Sequence, residues 1–284
     1  MQIAVNGLNF DVETAGAQGA PMVLLLHGFP QTSYTWRHQL EPLAKAGYFA
    51  VAPNQRGYSA GARPQGVSAY ATENLLLDAR GMIAHFGYDG AHIVGHDWGG
   101  QLSWLLAAHH ADEVKSLTVL SRPHPQAFLR AMREDDKQAQ RSRHHKLFQD
   151  ADAARPLLAE DAARLRSMFA DQGVGSVDQD AYLNVLGEFA ALDAAIDWYR
   201  APVQSGASQP LAAHETPDVG VPTLYIWGDA DATVGRVAAE GTAAHVTGPY
   251  RFEVLSRVGH FVTDQAGAQV SEILLEFLES LENG

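Results

Sequence analysis

The stretch Ala91-His92-Ile93-Val94-Gly95-His96-Asp97-Trp98-Gly99-Gly100 carries the most explicit chemistry in the chain. An apolar run that reads as a buried strand ends in Gly-x-Asp-x-Gly, and a helix-compatible segment, Gln101 to His110, follows at once. This is the layout of a nucleophile elbow, with aspartate where most such elbows carry serine. A sharp strand-to-helix turn leaves no room for side chains beside the nucleophile, so both flanking positions are glycine. The exchange of serine for aspartate changes the reaction. A serine forms an ester on the substrate's acyl group. A carboxylate attacks an alkyl carbon and becomes the acyl half of the ester itself. Asp97 is therefore the expected nucleophile. No serine occupies the elbow, and Ser103 stands too far along the helix to replace one, which excludes an ordinary serine esterase.

Such an ester needs a base to activate water and an acid to orient the base. Elbow enzymes place these in the chain order nucleophile, acid, histidine. His260, in Val258-Gly259-His260-Phe261, lies in a loop after the last expected strand and is the expected base. The acid should follow the strand Pro222–Trp227, where Asp229 and Asp231 both stand. Asp231, three positions after Gly228, is the choice, and Asp229 reads as a turn residue bonded to its own backbone. Its task would be to fix the imidazole tautomer and stabilise the imidazolium. Leu26-His27-Gly28-Phe29-Pro30 ends another buried strand, and the N–H groups of Phe29 and Trp98 would form an oxyanion hole for attack of water on the Asp97 carbonyl. His27 would order that loop.

These residues require a scaffold of strand ends, and the hydrophobic pattern supplies one. Ile3–Val5 and Phe10–Glu13 alternate and read as antiparallel edge strands. Met22–Leu26, Tyr48–Ala52, the elbow strand and Ser116–Leu120 are continuous apolar runs, as expected of strands covered on both faces. Helical segments at Ser33–Lys45, Thr72–Phe86 and Gln101–His110 separate them. Strand and helix alternate through residue 121, which argues for a mostly parallel twisted sheet flanked by helices. The pattern breaks at Arg122-Pro123-His124-Pro125. From there to Pro217 no strand signal occurs, and Gln126–Gln149, Ala159–Ala170 and Gln179–Ala190 read as helices. Alternation resumes with Pro222–Trp227, Phe252–Leu255 and a last helix at Ala266–Leu281. The expected division is a core of residues 1–121 and 218–284 and an inserted helical cap of residues 122–217, an insertion too long for a simple loop.

Composition narrows the function classes. The chain has 284 residues, 46% of them hydrophobic, enough for a large core. Its 20 Lys+Arg against 33 Asp+Glu give a formal charge of −13, which disfavours nucleic acid and anionic membranes as partners. There is no cysteine, which excludes disulfides and thiolate chemistry. The N-terminus has neither a basic segment nor a long apolar run of a secretory leader, and no run is long enough to span a membrane. A cytoplasmic protein is expected, as a monomer or homodimer.

His27-Gly28-Phe29-Pro30, Trp36-Arg37-His38-Gln39-Leu40, Arg56-Gly57-Tyr58-Ser59, the elbow at 95–100 and Asp197-Trp198-Tyr199-Arg200 resemble the α/β-hydrolase-fold epoxide hydrolases. The resemblance covers most of the α/β region and, in the insertion, chiefly the motif at 197–200. It implies the α/β-hydrolase fold, a cap, and hydrolysis of a small apolar epoxide to a vicinal diol by water through an alkyl ester of Asp97. It implies no metal and no organic cofactor. The family opens the epoxide with two acidic donors from the cap, most often two tyrosines. Tyr199 matches one. Where the other is expected, ahead of Leu147-Phe148-Gln149, stand Arg143-His144-His145-Lys146 instead. His144 best fits the spacing, with His145 second. Trp36, Pro30 and His145 are expected to line the substrate pocket. Haloalkane and haloacid dehalogenases share the elbow. A haloalkane dehalogenase would pair Trp98 with an asparagine at the position that Phe29 occupies. A fluoroacetate dehalogenase would carry arginines where Trp98 and Gln101 stand. A ligand sensor on a retired hydrolase scaffold would be expected to have lost Asp97, Asp231 or His260.

Overall fold

A computed structural model describes residues 1–206 and 216–282. The end of the expected insertion, 207–215, and the last two residues of the expected core lie outside the described residues.

Among the described residues, eight strands form one sheet. They are β1 (Gln2–Val5), β2 (Leu8–Ala15), β3 (Met22–Leu26), β4 (Phe49–Pro53), β5 (Ala91–His96), β6 (Val114–Leu120), β7 (Thr223–Gly228) and β8 (Tyr250–Leu255), in the spatial order β1-β2-β4-β3-β5-β6-β7-β8. The first two pair antiparallel with each other, and β2 pairs antiparallel with β4. All later pairings are parallel. Thus both expected strands pair antiparallel at one side of the sheet, with β1 at the edge and β2 joining it to the parallel strands.

The apolar runs are buried on both faces because their neighbours differ in alternate positions. Met22, Leu24 and Leu26 face one core cluster, with Ile93, Leu117 and Trp104. Val23 and Leu25 face the other, with Val94, Leu224, Ile226 and Leu274. Helices cover each side: α1 (Arg37–Lys45), preceded by a 3-10 turn at Ser33–Trp36, α2 (Thr72–His85) and α3 (Trp98–His109). The helix after the elbow therefore starts three residues earlier than expected, directly after Asp97.

Between β6 and β7 the described residues form helices and turns, as the missing strand signal implies, but the helices are cut more finely. The expected helix 126–149 is three: α4 (Pro125–Glu134), α5 (Asp136–Arg141) and α6 (His144–Leu147). Asp135 causes the first break. Its backbone is extended and its carboxylate accepts the N–H of Lys137 at 2.9 Å, starting a new helix instead of continuing the old one. α7 (Ala154–Ala170) is interrupted at residues 159–162, where Glu160, Asp161 and Ala162 take positive φ. The expected helix 179–190 crosses a real boundary: α8 (Ser176–Leu186) runs to Gly187, the extended backbone of Glu188 ends it, and α9 (Phe189–Gln204) begins anew.

After β7 come α10 (Arg236–Gly241), then β8, α11 (Val262–Gln265) and α12 (Gly267–Glu282). The inserted helices share the core cluster that holds Phe29 and Trp98, through Phe169, Tyr182, Leu186 and Ile196. Asp264 on α11 ties them down. Its carboxylate accepts from Tyr182 Oη on α8 at 2.9 Å, from Arg37 Nη1 at 2.7 Å and from Gln31 Nε2 at 2.6 Å. No described helix is long and apolar enough to cross a membrane.

Candidate active site

Four strand ends deliver the site, all at the carboxyl edge of the sheet, where ligands of open α/β sheets bind. Asp97 follows β5, Phe29 follows β3, Asp231 follows β7 and His260 follows β8. Asp97 sits at φ +50°, a left-handed conformation that L side chains rarely adopt. The elbow is this tight because α3 starts against the loop after β3. A Cβ on Gly99 would lie 2.0 Å from the carbonyl oxygen of Leu26, and one on Gly28 would lie 2.4 Å from the Cβ of Asp97. Neither position accepts any residue but glycine.

The Asp97 carboxylate is buried and its two oxygens are differentiated. Oδ1 accepts the N–H of Phe29 at 3.0 Å. Oδ2 lies 3.5 Å from Nε2 of His260. On the far side of the imidazole, Nδ1 donates to Oδ2 of Asp231 at 2.8 Å. Asp231 is itself fixed, because its Oδ1 accepts the N–H groups of Thr233 and Val234 at 2.6 and 2.9 Å. Asp229 lies in the turn, where its carboxylate accepts the N–H of Arg257. Asp97, picked from the elbow motif, Asp231, picked from its place after a strand, and His260, picked from chain order, are thus joined in one line. His27 is buried; it donates through Nδ1 to the Gly28 carbonyl and accepts the Gln55 N–H at Nε2, which orders the Phe29 loop.

Charge follows from this arrangement. Burial alone would raise the Asp97 carboxyl, but the hydrogen bond and charge of His260 outweigh it and hold the group well below the usual carboxylate range. Burial alone would depress the His260 imidazole, but Asp231 and then Asp97 push it up to about 10. The resting pair is a carboxylate and an imidazolium.

Above Asp97 is a cavity of about 250 Å3, walled by Phe29, Pro30, His260 and Phe261 from the core and by His144, Phe148, Met168 and Tyr199 from the inserted helices. Tyr199 on α9 stands in an aromatic cage, with ring centroids 4.8 Å from Phe148, 4.9 Å from Trp98 and 5.6 Å from Phe29. Burial and then the Asp97 charge raise its phenol well above the ordinary value, so it is neutral. His144 lines the cavity with its ring 6.2 Å from that of Tyr199. Its Nδ1 faces the Arg141 carbonyl at 3.2 Å, and burial lowers its pKa, so it is neutral near pH 7.

Two expected pocket residues stand elsewhere. Trp36 is fully buried with Val23, Leu25 and Leu274 in the other core cluster, because the 3-10 turn at 33–36 directs its ring under the sheet. His145 is also not in the cavity wall. It lies behind His144, 9% exposed, between Tyr199 and Phe128. Pro30 and His144 are in the wall as expected.

Other residues at the site escaped the sequence. Arg122 is buried, stacks 4.6 Å above Phe128 and donates to Gln101 Oε1, with no carboxylate partner among the described residues; its charge adds to the depression of Asp97. A lone arginine after an apolar strand carries no signal of this. Gln172 borders the cavity and reaches the backbone of His260, a contact across 88 residues that no motif announces.

A family profile described as alpha/beta hydrolase fold matches residues 21–266. Epoxide hydrolase A of Mycobacterium tuberculosis is 33% identical over 318 residues, covering 99% of this chain and 97% of that protein. AB hydrolase superfamily protein YfhM of Bacillus subtilis is 30% identical over 287 residues, covering 98% and 97%. Among solved structures, that of a Bacillus megaterium epoxide hydrolase in complex with an inhibitor aligns with a TM-score of 0.90 at 26% identity, over 98% of this chain and 100% of that one.

Proposed function

The chain belongs to the α/β-hydrolase-fold epoxide hydrolases, and from that premise we propose that it converts a small apolar epoxide to the vicinal diol through an alkyl ester of Asp97, beneath a cap formed by α4 to α9. The observation that carries the reading is the split role of the Asp97 carboxylate. Oδ1 rests on the Phe29 N–H, while Oδ2 faces His260 below a cavity that presents a neutral phenol.

In the first step Oδ2 attacks an epoxide carbon. The C–O bond forms, the ring C–O bond breaks, and the departing oxygen takes a proton from Tyr199 or His144. Esterification removes the Asp97 charge, and with it two of the influences that keep His260 protonated. Burial then favours loss of the imidazole proton, which returns to the cap residue that protonated the epoxide oxygen, so donor and base are both restored before water attacks. In the second step His260 deprotonates a water that attacks the Asp97 carbonyl carbon. Oδ1 becomes the oxyanion, held by the N–H groups of Phe29 and Trp98. Collapse expels the diol, which takes the proton back from His260, and the hydroxyl proton left on the Asp97 carboxyl passes to the imidazole, restoring the resting carboxylate and imidazolium. At position 29 a phenylalanine ring packs on Tyr199, and no side-chain amide is offered there to a halide.

Tyr199→Phe keeps the ring contacts and removes the proton. Alkylation is expected to slow by about 100-fold, with the fold intact by circular dichroism. Rapid-quench mass spectrometry of the enzyme measures that step directly, and an unchanged rate would remove Tyr199 from ring opening.

His144 makes a pH prediction. In its neutral form the Nδ1 proton is committed to the Arg141 carbonyl, which leaves a lone pair on Nε2. Donation from Nε2 therefore requires the imidazolium, which forms only as pH falls below the ordinary histidine value of 6.5. Asp97 stays ionised throughout that range. Alkylation is expected to accelerate several-fold from about pH 8 to about pH 5.5 and to become flat in His144→Phe. A rise that persists in that variant would exclude His144 as the second donor.

A further inference from the structure

The main chain of His260 is gripped on both sides by groups that take no part in the proton transfers. Its carbonyl accepts from Nε2 of the buried His96 at 2.8 Å. Its N–H donates to Oε1 of Gln172 at 3.0 Å. Gln172 belongs to the turn between α7 and α8, on the inserted helices. Gln265 completes the seam: its Nε2 donates to the Gln172 carbonyl at 2.7 Å, and its Oε1 accepts the Gly259 N–H at 2.7 Å. Two consecutive N–H groups of the histidine loop are thus bound, one directly and one through Gln265, to a single turn of the insertion. That turn is anchored by Phe169, stacked on Tyr182 at 4.9 Å, and Tyr182 in turn holds Asp264 on α11.

We propose that Gln172 is a positioning residue for His260, through which the seating of the inserted helices controls the water-activating step. The proposal rests on the two-step reading above. The nucleophile is held separately, by the elbow and the Phe29 N–H. His260 has no such rigid element; it sits in a loop after β8. Without Gln172 its N–H turns to water, and the imidazole gains freedom relative to the Asp97 carbonyl. Misplacement of a reacting group is felt most where the geometry of attack is strictest. Ester hydrolysis should suffer, and alkylation should not.

Gln172→Leu removes the acceptor, and Gln172→Glu retains one at the same reach. Single-turnover rapid quench with styrene oxide, read by intact protein mass, separates the two steps. In Gln172→Leu alkylation is expected within about twofold of wild type, hydrolysis about fivefold slower, and ester accumulated; in Gln172→Glu hydrolysis is expected to recover to within about twofold. Unchanged hydrolysis in Gln172→Leu, or an equal fall in both steps, would overturn the positioning role alone. Absence of ester in a parallel His260→Gln sample would overturn the Asp97 reading and the proposal with it.

Discussion

Asp97→Ala is expected to lower turnover by on the order of 10^4-fold or more, because the variant has no atom that can form the ester. The elbow leaves no substitute. Gly95 and Gly99 flank the position, and Ser103 is committed to the Gly99 carbonyl at 2.7 Å. Without the carboxylate, the Phe29 N–H and His260 have no oxygen at this position to act on. The substitution also places alanine at φ +50° and leaves the Phe29 N–H without its acceptor, while it relieves the burial of a carboxylate. Thermal denaturation and circular dichroism must therefore accompany the assay. A folded variant that kept more than about a hundredth of the wild-type rate would exclude covalent catalysis by Asp97.

His260→Gln is expected to have the opposite signature, a normal beginning and no end. Glutamine cannot accept a proton from water, so ester hydrolysis should fall by about 10^3-fold. Alkylation should persist, because it needs only an ionised Asp97 and a donor from the cap. Loss of the imidazolium lets the Asp97 carboxyl rise from its depressed value. The assay therefore belongs at about pH 8, where a carboxylate remains charged even after such a rise. The enzyme mass should increase by one whole epoxide and stay increased. If turnover instead continued at the wild-type rate, His260 would have no part in hydrolysis.

The readable part of this chain was the part with strong local constraints. The glycines around Asp97 and at position 28 exist because backbone or carboxylate atoms stand within van der Waals distance of where a Cβ would be. That constraint is written in sequence as Gly-x-Asp-x-Gly. Asp231 was legible because it follows a continuous apolar strand and His260 because it comes last in the order nucleophile, acid, histidine, and parallel strands put their ends on one edge. The insertion was legible only as a region without strands. Its breaks at Asp135 and Gly187 have sequence markers of modest strength, and the one at residues 159–162 has no glycine or proline at all. Trp36 shows a different failure. An aromatic residue shortly after a pocket loop was expected in the pocket, but one 3-10 turn carries it under the sheet. Gln172, Arg122 and Asp264 act through contacts remote in sequence, and side-chain amides, lone cations and helix-surface acids are too common for their type to mark them.

The ester is tested most directly by one turnover in oxygen-18 water with enzyme in excess over styrene oxide. Water attacks the carbonyl carbon of the ester, so the oxygen that enters the diol is Oδ2 of Asp97 and the water oxygen stays on the carboxylate. The account predicts diol without label from the first turnover, and a mass increase on the peptide containing Asp97. Labelled diol in that first turnover, with the peptide unchanged, would mean that water attacks the epoxide directly, and it would contradict the central claim.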